Sequence, residues 1–191
     1  MYEIGGVSMY EGSNPTAVKS QQLIARALLE LMDEMPYKEI AIKNICSRAG
    51  LARQTFYNLF DSKDDVLRYV LRTTYLQQFD ALPKEGVTAD ALAASFAAVV
   101  EGCEHLLDLM VRNGLDGIIT DEVAAAVSLF ADSLVRDPGL IETLPYAAAM
   151  VSGALAYLLV CWFKQEQPIS VDEMSRLISQ FFAGELFEVE A

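Results

Sequence analysis

Histidine and tryptophan occur once each in this chain of 191 residues, as His105 and Trp162. One imidazole leaves little general-base chemistry at neutral pH. A nucleophile elbow, a glycine-rich phosphate loop, a CxxC pair and an HExxH motif are all lacking. No catalytic residue is therefore assigned, and the chain is not read as an enzyme. Cysteine is scarce too: Cys46, Cys103 and Cys161 are odd in number, far apart, and each set in an apolar helical pattern. A disulfide framework or a zinc site needs tighter spacing, so these read as reduced, buried thiols of a cytoplasmic protein. Six prolines and 11 glycines are too few for a low-complexity chain, while 53% hydrophobic residues supply a core. The first residues carry neither a basic stretch nor an apolar one, so no secretory signal is expected.

Positive charge is the remaining scarcity. Fourteen Lys and Arg face 27 Asp and Glu, for a net charge of −13. Over the whole chain this argues against a polyanionic partner, but the charge is uneven. Lys19, Arg26, Lys38, Lys43, Arg48, Arg53, Lys63, Arg68 and Arg72 all fall within residues 17–75, which carry a net +2, and residues 76–191 carry −13. A polyanion meets a favourable field only at the first of these segments.

The periodicity is helical nearly throughout, and no strand or internal repeat stands out. Asn14 is placed to cap a helix that has Pro15 in its first turn. Leu23, Ile24, Ala27, Leu28, Leu31 and Met32 then share one face as far as Met35-Pro36. A short second helix carries Ile42, Ile45, Cys46 and Ala49 and stops at Gly50; a third covers about 53–59. Ser62 and Asp65 have capping-box spacing ahead of a long fourth helix with Val66, Leu67, Val70, Leu71 and Leu82 as apolar positions. "LPKEGV" at 82–87 reads as a linker. Further helices are expected at roughly 88–112, 117–136, 145–165 and 170–187, the last opened by Ser170 and Glu173 in capping-box spacing. The fold class is all-α. Residues 1–13 form a loose tail, 14–80 an N-terminal domain, and 83–191 a C-terminal helical bundle.

Two short helices joined at "AGL" describe a helix-turn-helix, in which Gly50 supplies the positive φ of the turn. The second helix of such a motif enters the major groove with its first turn facing base edges. Arg53, Gln54 and Thr55 occupy that turn. Arg can bridge guanine O6 and N7, Gln can bridge adenine N6 and N7, and Thr can touch a thymine methyl. A solvated helix corner is the plainer reading of the same residues.

The run "IAIKNICSRAGLARQTFYNLFDSKDDVL" resembles the DNA-binding domain of the TetR family of one-component regulators. The resemblance is carried by Ile45, Ala49-Gly50-Leu51, Thr55-Phe56-Tyr57, Phe60 and Lys63, and it covers about residues 16–76. It implies a transcriptional regulator, as a rule a dimeric repressor, whose affinity for double-stranded operator DNA is controlled by a small-molecule effector. By the same resemblance Arg53, Gln54 and Thr55 face bases, Tyr57 and Asn58 approach the phosphate backbone, Lys63 binds a phosphate, and Lys43 contacts phosphate or a base. Ile45, Ala49, Leu51, Phe56 and Phe60 are core. The chain departs from the family pattern at Ala41 and Ala52, where capping hydroxyls are usual, and at Leu59. Loss of a cap leaves the third helix open to fraying. A helical adaptor or co-regulator of the same fold, without sequence-specific DNA reading, is the alternative.

For the C-terminal bundle the resemblance implies effector binding and a homodimer built on the last two long helices. Independently, residues 146–163 form an uncharged run at the lower length limit for a membrane span. Its Ala, Ser and Gly content favours a helix buried in a bundle or dimer, so no membrane partner is expected. Glu101, His105 and Asp108 can share one helix face, read as an ion pair or polar lining rather than a metal site. Phe96, Met110, Phe130, Tyr157 and Trp162 could line an apolar pocket, but at helical spacing they read first as plain core. No cofactor is assigned beyond the effector, whose identity the sequence leaves open; the acidity of the chain suits a cationic one, but exposed carboxylates also simply keep a protein soluble.

Overall fold

A computed structural model describes residues 14–79, 88–134, 142–165 and 169–186. The expected tail at 1–13 and linker at 82–87 lie outside the described residues, as do Leu82 and the side chain of Phe130. Among the described residues the fold is all-α: α1 (Pro15–Glu34), a 3₁₀ turn (Tyr37–Glu39), α2 (Ile42–Ala49), α3 (Arg53–Tyr57), α4 (Lys63–Phe79), α5 (Ala89–Arg112), α6 (Asp116–Leu134), α7 (Leu144–Lys164) and α8 (Val171–Ala183).

The caps read from the sequence set these boundaries. Asn14 Oδ1 accepts from the Thr16 N–H at 3.0 Å, with Pro15 in the first turn of α1. The Ser62 hydroxyl accepts from the Asp65 N–H while Asp65 accepts from the Ser62 N–H, which closes a capping box at the head of α4. Ser170 and Glu173 make the same reciprocal pair for α8. Two helices are shorter than expected. α3 gives way at Asn58, and α8 stops at Ala183 rather than 187 because Gly184 turns left-handed at φ 75° and returns its N–H to α8 carbonyls.

α1 packs on α2 and on α4, while α4 also packs against α5 and α6. α5 lies on α8, and α6 lies on α7. The helix α4 is therefore shared between the two halves, and the buried core runs continuously through both. Ile24 and Leu28 of α1, Phe56 of α3, Val66 and Leu67 of α4, Met110 of α5 and Met174 of α8 are all within 1% of complete burial. Gly102 lets α4 approach α5: a Cβ there would sit 3.0 Å from Thr74 Cγ2. α5 leaves helical geometry one residue later, at Cys103.

α7 is long and apolar enough to cross a membrane by length and composition. Its inner face, with Leu155, Leu159 and Trp162, is buried in the bundle. Its outer face is not: Tyr146, Met150 and Tyr157 are each more than 70% exposed, and Gly153 and Ala154 lie open between them. Tyr157 therefore belongs neither to the packed core nor to the wall of the cavity described below, which corrects the expectation for that residue: its register on α7 points it outward. Met110 is sealed in the core and Trp162 donates its Nε1–H to the Ile169 carbonyl at 2.5 Å, so neither of them lines the cavity described below.

Burial pushes the Cys103 thiol up from 9.0 to about 12. Burial, and then the negative charge of Glu122, pushes the Tyr75 hydroxyl up from 10.0 to about 12. The folded chain keeps these protons where an unfolded chain releases them. Stability from this source is complete below pH 9 and is lost as pH rises toward 12, with a slope of up to about 1.4 kcal/mol per pH unit for each group. The urea midpoint is expected to hold steady up to about pH 8.5 and then fall. Cys103→Val should flatten the early part of that fall; an unchanged profile would show that Cys103 contributes nothing to it.

Candidate nucleic-acid interface

The α2–α3 corner is built by backbone geometry. Gly50 sits at φ 67°, ψ 31°, in the left-handed region, with open space where a Cβ would be. Its N–H returns to the last turn of α2, and the Leu51 N–H reaches the Cys46 carbonyl at 3.0 Å. The chain is thereby reversed in few residues, with Leu51 half-buried and Ala52 extended ahead of α3. Ala52 has no side-chain oxygen, and the head of α3 carries no side-chain cap. At the head of α2 the Asn44 side chain partly compensates for Ala41 by accepting the Ala41 N–H at 3.1 Å.

Phe56 anchors α3. It is fully buried, and its ring meets Tyr57 edge-on at 5.7 Å and Phe60 at 5.9 Å. Phe60 in turn meets Tyr69 of α4 at 5.6 Å. Leu59 is 5% exposed and belongs to this core. Ile45 is fully buried as well, and Ala49 and Leu51 pack against the cluster from its edge.

With Phe56 inward, the opposite side of α3 faces out. Arg53, Gln54 and Asn58 are exposed, Tyr57 is 54% exposed, and Thr55 is half-buried. The Gln54 side-chain amide donates to Asn58 Oδ1 at 2.9 Å, which orders two of the exposed polar groups along the helix. Lys43 is exposed on α2. Neither Lys43 nor Arg53 makes a salt bridge among the described residues, whereas Arg48 is committed to Glu34 through two bonds, at 2.9 and 2.7 Å. That fork ties α2 to α1.

Lys63 is placed differently from the other six candidates. Its ammonium donates to the carbonyls of Tyr37, at 2.5 Å, and Ile40, at 3.0 Å, and stands 4.0 Å over the Tyr37 ring. Burial pushes its pKa down, against the pull of Asp64. An ammonium has three N–H donors, so one remains for an outside acceptor. Tyr37 is itself a junction: its hydroxyl bonds Asp64, and its N–H donates to Asn113 Oδ1 at the end of α5, 2.9 Å away.

Residues 24–70 match the family described as bacterial regulatory proteins, tetR family. That segment is thus similar to the N-terminal domain of this family. Over 61 residues it is 30% identical to the HTH-type dhaKLM operon transcriptional activator DhaS of Lactococcus lactis, a stretch that is 32% of this chain and 33% of that relative. The chain thus matches about a third of the length of its curated relative. Solved structures share the fold over much more of the chain. Lin0861 from Listeria innocua superposes with a TM-score of 0.69 at 16% identity, covering 94% of this chain and 99% of that one. A dihydroxyacetone kinase operon activator DhaS does so at 0.57 and 13% identity, over 88% and 97% of the two chains. The fatty acid degradation regulator FadR from Bacillus halodurans gives 0.56 at 14% identity, over 90% and 96%. The matched family, the two DhaS proteins and FadR are described as regulators or activators.

Sequence reasoning missed a second polar centre, where α4 leaves the TetR-type domain. Glu122 of α6 is 3% exposed. Its Oε1 accepts from Arg68 at 3.2 Å and from Arg72 at 3.0 Å, and its Oε2 accepts from Arg72 Nε at 2.8 Å. Arg68 also reaches Asp121 at 2.9 Å, and the Tyr75 hydroxyl stands 3.5 Å from Glu122. The i,i+4 spacing of Arg68 and Arg72 was a readable signal on the α4 side; nothing local marked Glu122 as their partner. Asp108 forms a helix ion pair with Arg112 at 2.8 Å, whereas His105 meets Asp33 of α1, at 3.2 Å, rather than a carboxylate of its own helix. No group able to hold a metal occurs among the described residues.

The uncapped head of α3 yields a direct expectation. Ala52→Ser restores an acceptor for the open N–H groups of α3 and should stabilise the chain by about 1 kcal/mol. Urea unfolding of the two proteins side by side measures it. No gain would mean that packing of Phe56 alone holds the start of the helix.

Proposed function

We propose that the chain is a dimeric, DNA-binding transcriptional regulator, acting as a repressor, with an operator affinity set by a small molecule in its C-terminal helices. The observation that carries this reading is the outward turn of α3: Arg53, Gln54 and Thr55 follow Gly50 on a helix that Phe56 anchors from behind. In the major groove Arg53 and Gln54 would read purine edges and Thr55 a thymine methyl. Tyr57, Asn58, Lys43 and the third N–H of Lys63 would meet phosphates and fix the register. The acidic remainder of the chain would then face away from the duplex. Such a protein works in the cytoplasm.

The dimer reading rests on α7. Tyr146, Met150, Gly153, Ala154 and Tyr157 form one outward stripe that is exposed among the described residues. Small residues in the middle let a second copy of α7 approach closely, and a two-fold axis would present both α3 helices to a palindromic site. An activator is the second reading. It is favoured by the two DhaS proteins, whose names describe activators of an operon. A promoter–reporter fusion separates the two signs of regulation.

Titration of the purified protein against its own upstream intergenic DNA tests DNA reading. Binding should be specific and fall steeply as salt rises. Arg53→Ala with Thr55→Ala should weaken it by at least about tenfold while leaving the circular dichroism unchanged. Equal, weak binding to native and scrambled DNA would favour the adaptor reading instead. Met150→Glu with Tyr157→Glu should convert the dimer to a monomer in light scattering; a parent protein already monomeric at the same concentration rejects the α7 interface.

A further inference from the structure

Behind the Arg68–Glu122–Arg72 centre lies a cavity of about 100 Å³. All five helices from α4 to α8 contribute to its wall, among them Leu71 of α4, Phe96 of α5, Val123 of α6, Leu155 of α7 and Ile178 of α8. The wall is aliphatic and aromatic except at three ionisable groups, Tyr75, Cys103 and Glu122.

None of the three offers a charge to a guest. The Glu122 carboxylate is taken up by two guanidiniums, so a cation entering here finds its counter-ion already committed. The Cys103 thiol stays protonated and donates to the Val99 carbonyl at 2.8 Å. The Tyr75 hydroxyl is likewise neutral and leans on Glu122. An anion finds no free positive group, because the arginines are not part of the wall. A charged guest would lose its hydration with nothing to replace it, and that loss outweighs the burial of a small apolar body.

We propose that this cavity binds an uncharged, largely apolar molecule of about the size of one aromatic ring, and that its occupancy acts on α4 through Tyr75 and the Glu122 centre. The size follows from volume: a dry apolar cavity of roughly 150 Å³ accommodates benzene, so this one fits a single ring after slight expansion. The assignment names the effector class within the regulatory reading and rests on that reading for its biological consequence. Of the two readings of the chain's acidity, it favours solubility over a cationic effector. Among the described residues the carboxylates are exposed or half-buried except Asp65 and Glu122, and the Glu122 carboxylate in the cavity wall is paired with two arginines.

Four fluorinated probes of one shape test it on the full chain by ¹⁹F NMR titration: 4-fluorotoluene, 4-fluorobenzyl alcohol, 4-fluorobenzylamine and 4-fluorobenzoate. The two neutral probes should bind saturably, and the ammonium and the carboxylate at least about tenfold more weakly. Ala126→Phe and Val151→Phe each fill the cavity from a different helix, and whichever stays folded by circular dichroism should abolish binding of 4-fluorotoluene. Equal or tighter binding of the amine or the carboxylate, binding that survives in a folded filled variant, or no saturable binding of either neutral probe would overturn the proposal. The same protein is titrated with upstream DNA, with and without saturating 4-fluorotoluene. A shift of DNA affinity of about fivefold or more supports the action on α4. An unchanged affinity alongside saturable, charge-selective binding overturns that action but leaves the ligand class standing. Absence of DNA binding in the ligand-free protein counts against the regulatory reading alone.

Discussion

A buried carboxylate held between two arginines is the interaction on which the two halves of this molecule depend. Glu122 is almost wholly out of water, and a lone carboxylate in that position would be costly. It is tolerated because Arg68 and Arg72, one turn apart on α4, supply three bonds to its two oxygens. Such a centre adds little net stability compared with apolar packing, but breaking it by removing one partner leaves a stranded charge. It therefore fixes the position of α6 against α4 more than it strengthens the fold.

That position matters because α4 belongs to both ends of the chain. Its first turn supports the 3₁₀ turn through Lys63 and Tyr37, and its ring contact with Phe60 backs α3. Its second half forms part of the cavity wall through Leu71 and Tyr75. The Tyr37–Asn113 bond is a second tie between the same halves, closer to α2. A shift of α4 cannot be absorbed within a single element, since interior packing is dense and deforms little. The exposed turn of α3 and the cavity are thus linked through α4, which the Glu122 centre holds in register with α6.

The corner between α2 and α3 was legible from the sequence because its causes are local. Gly50 supplies a left-handed residue, Phe56 and Phe60 are one helical turn apart, and Arg53 and Gln54 are left outside once Phe56 is inside. The starts of α1, α4 and α8 were legible for the same reason: Asn14, Ser62 and Ser170 cap through residues at most three away. Tyr157 was harder. Periodicity places an apolar residue on a helix face but does not say whether that face meets a cavity, a packed core or the outside. On α7, apolar nearly all round, the sequence offered no way to choose.

The sequence by itself determined the all-α class, the helix starts and the identity of the exposed residues on α3. These follow from backbone preferences and side chains within one or two turns of each other. Only the tertiary structure decided the pairing of Glu122 with Arg68 and Arg72, some fifty residues apart, the neutral lining of the cavity, and the outward stripe of α7. Those features depend on which helix faces come together in space. That choice is made by packing over the whole bundle, to which each residue contributes only a part.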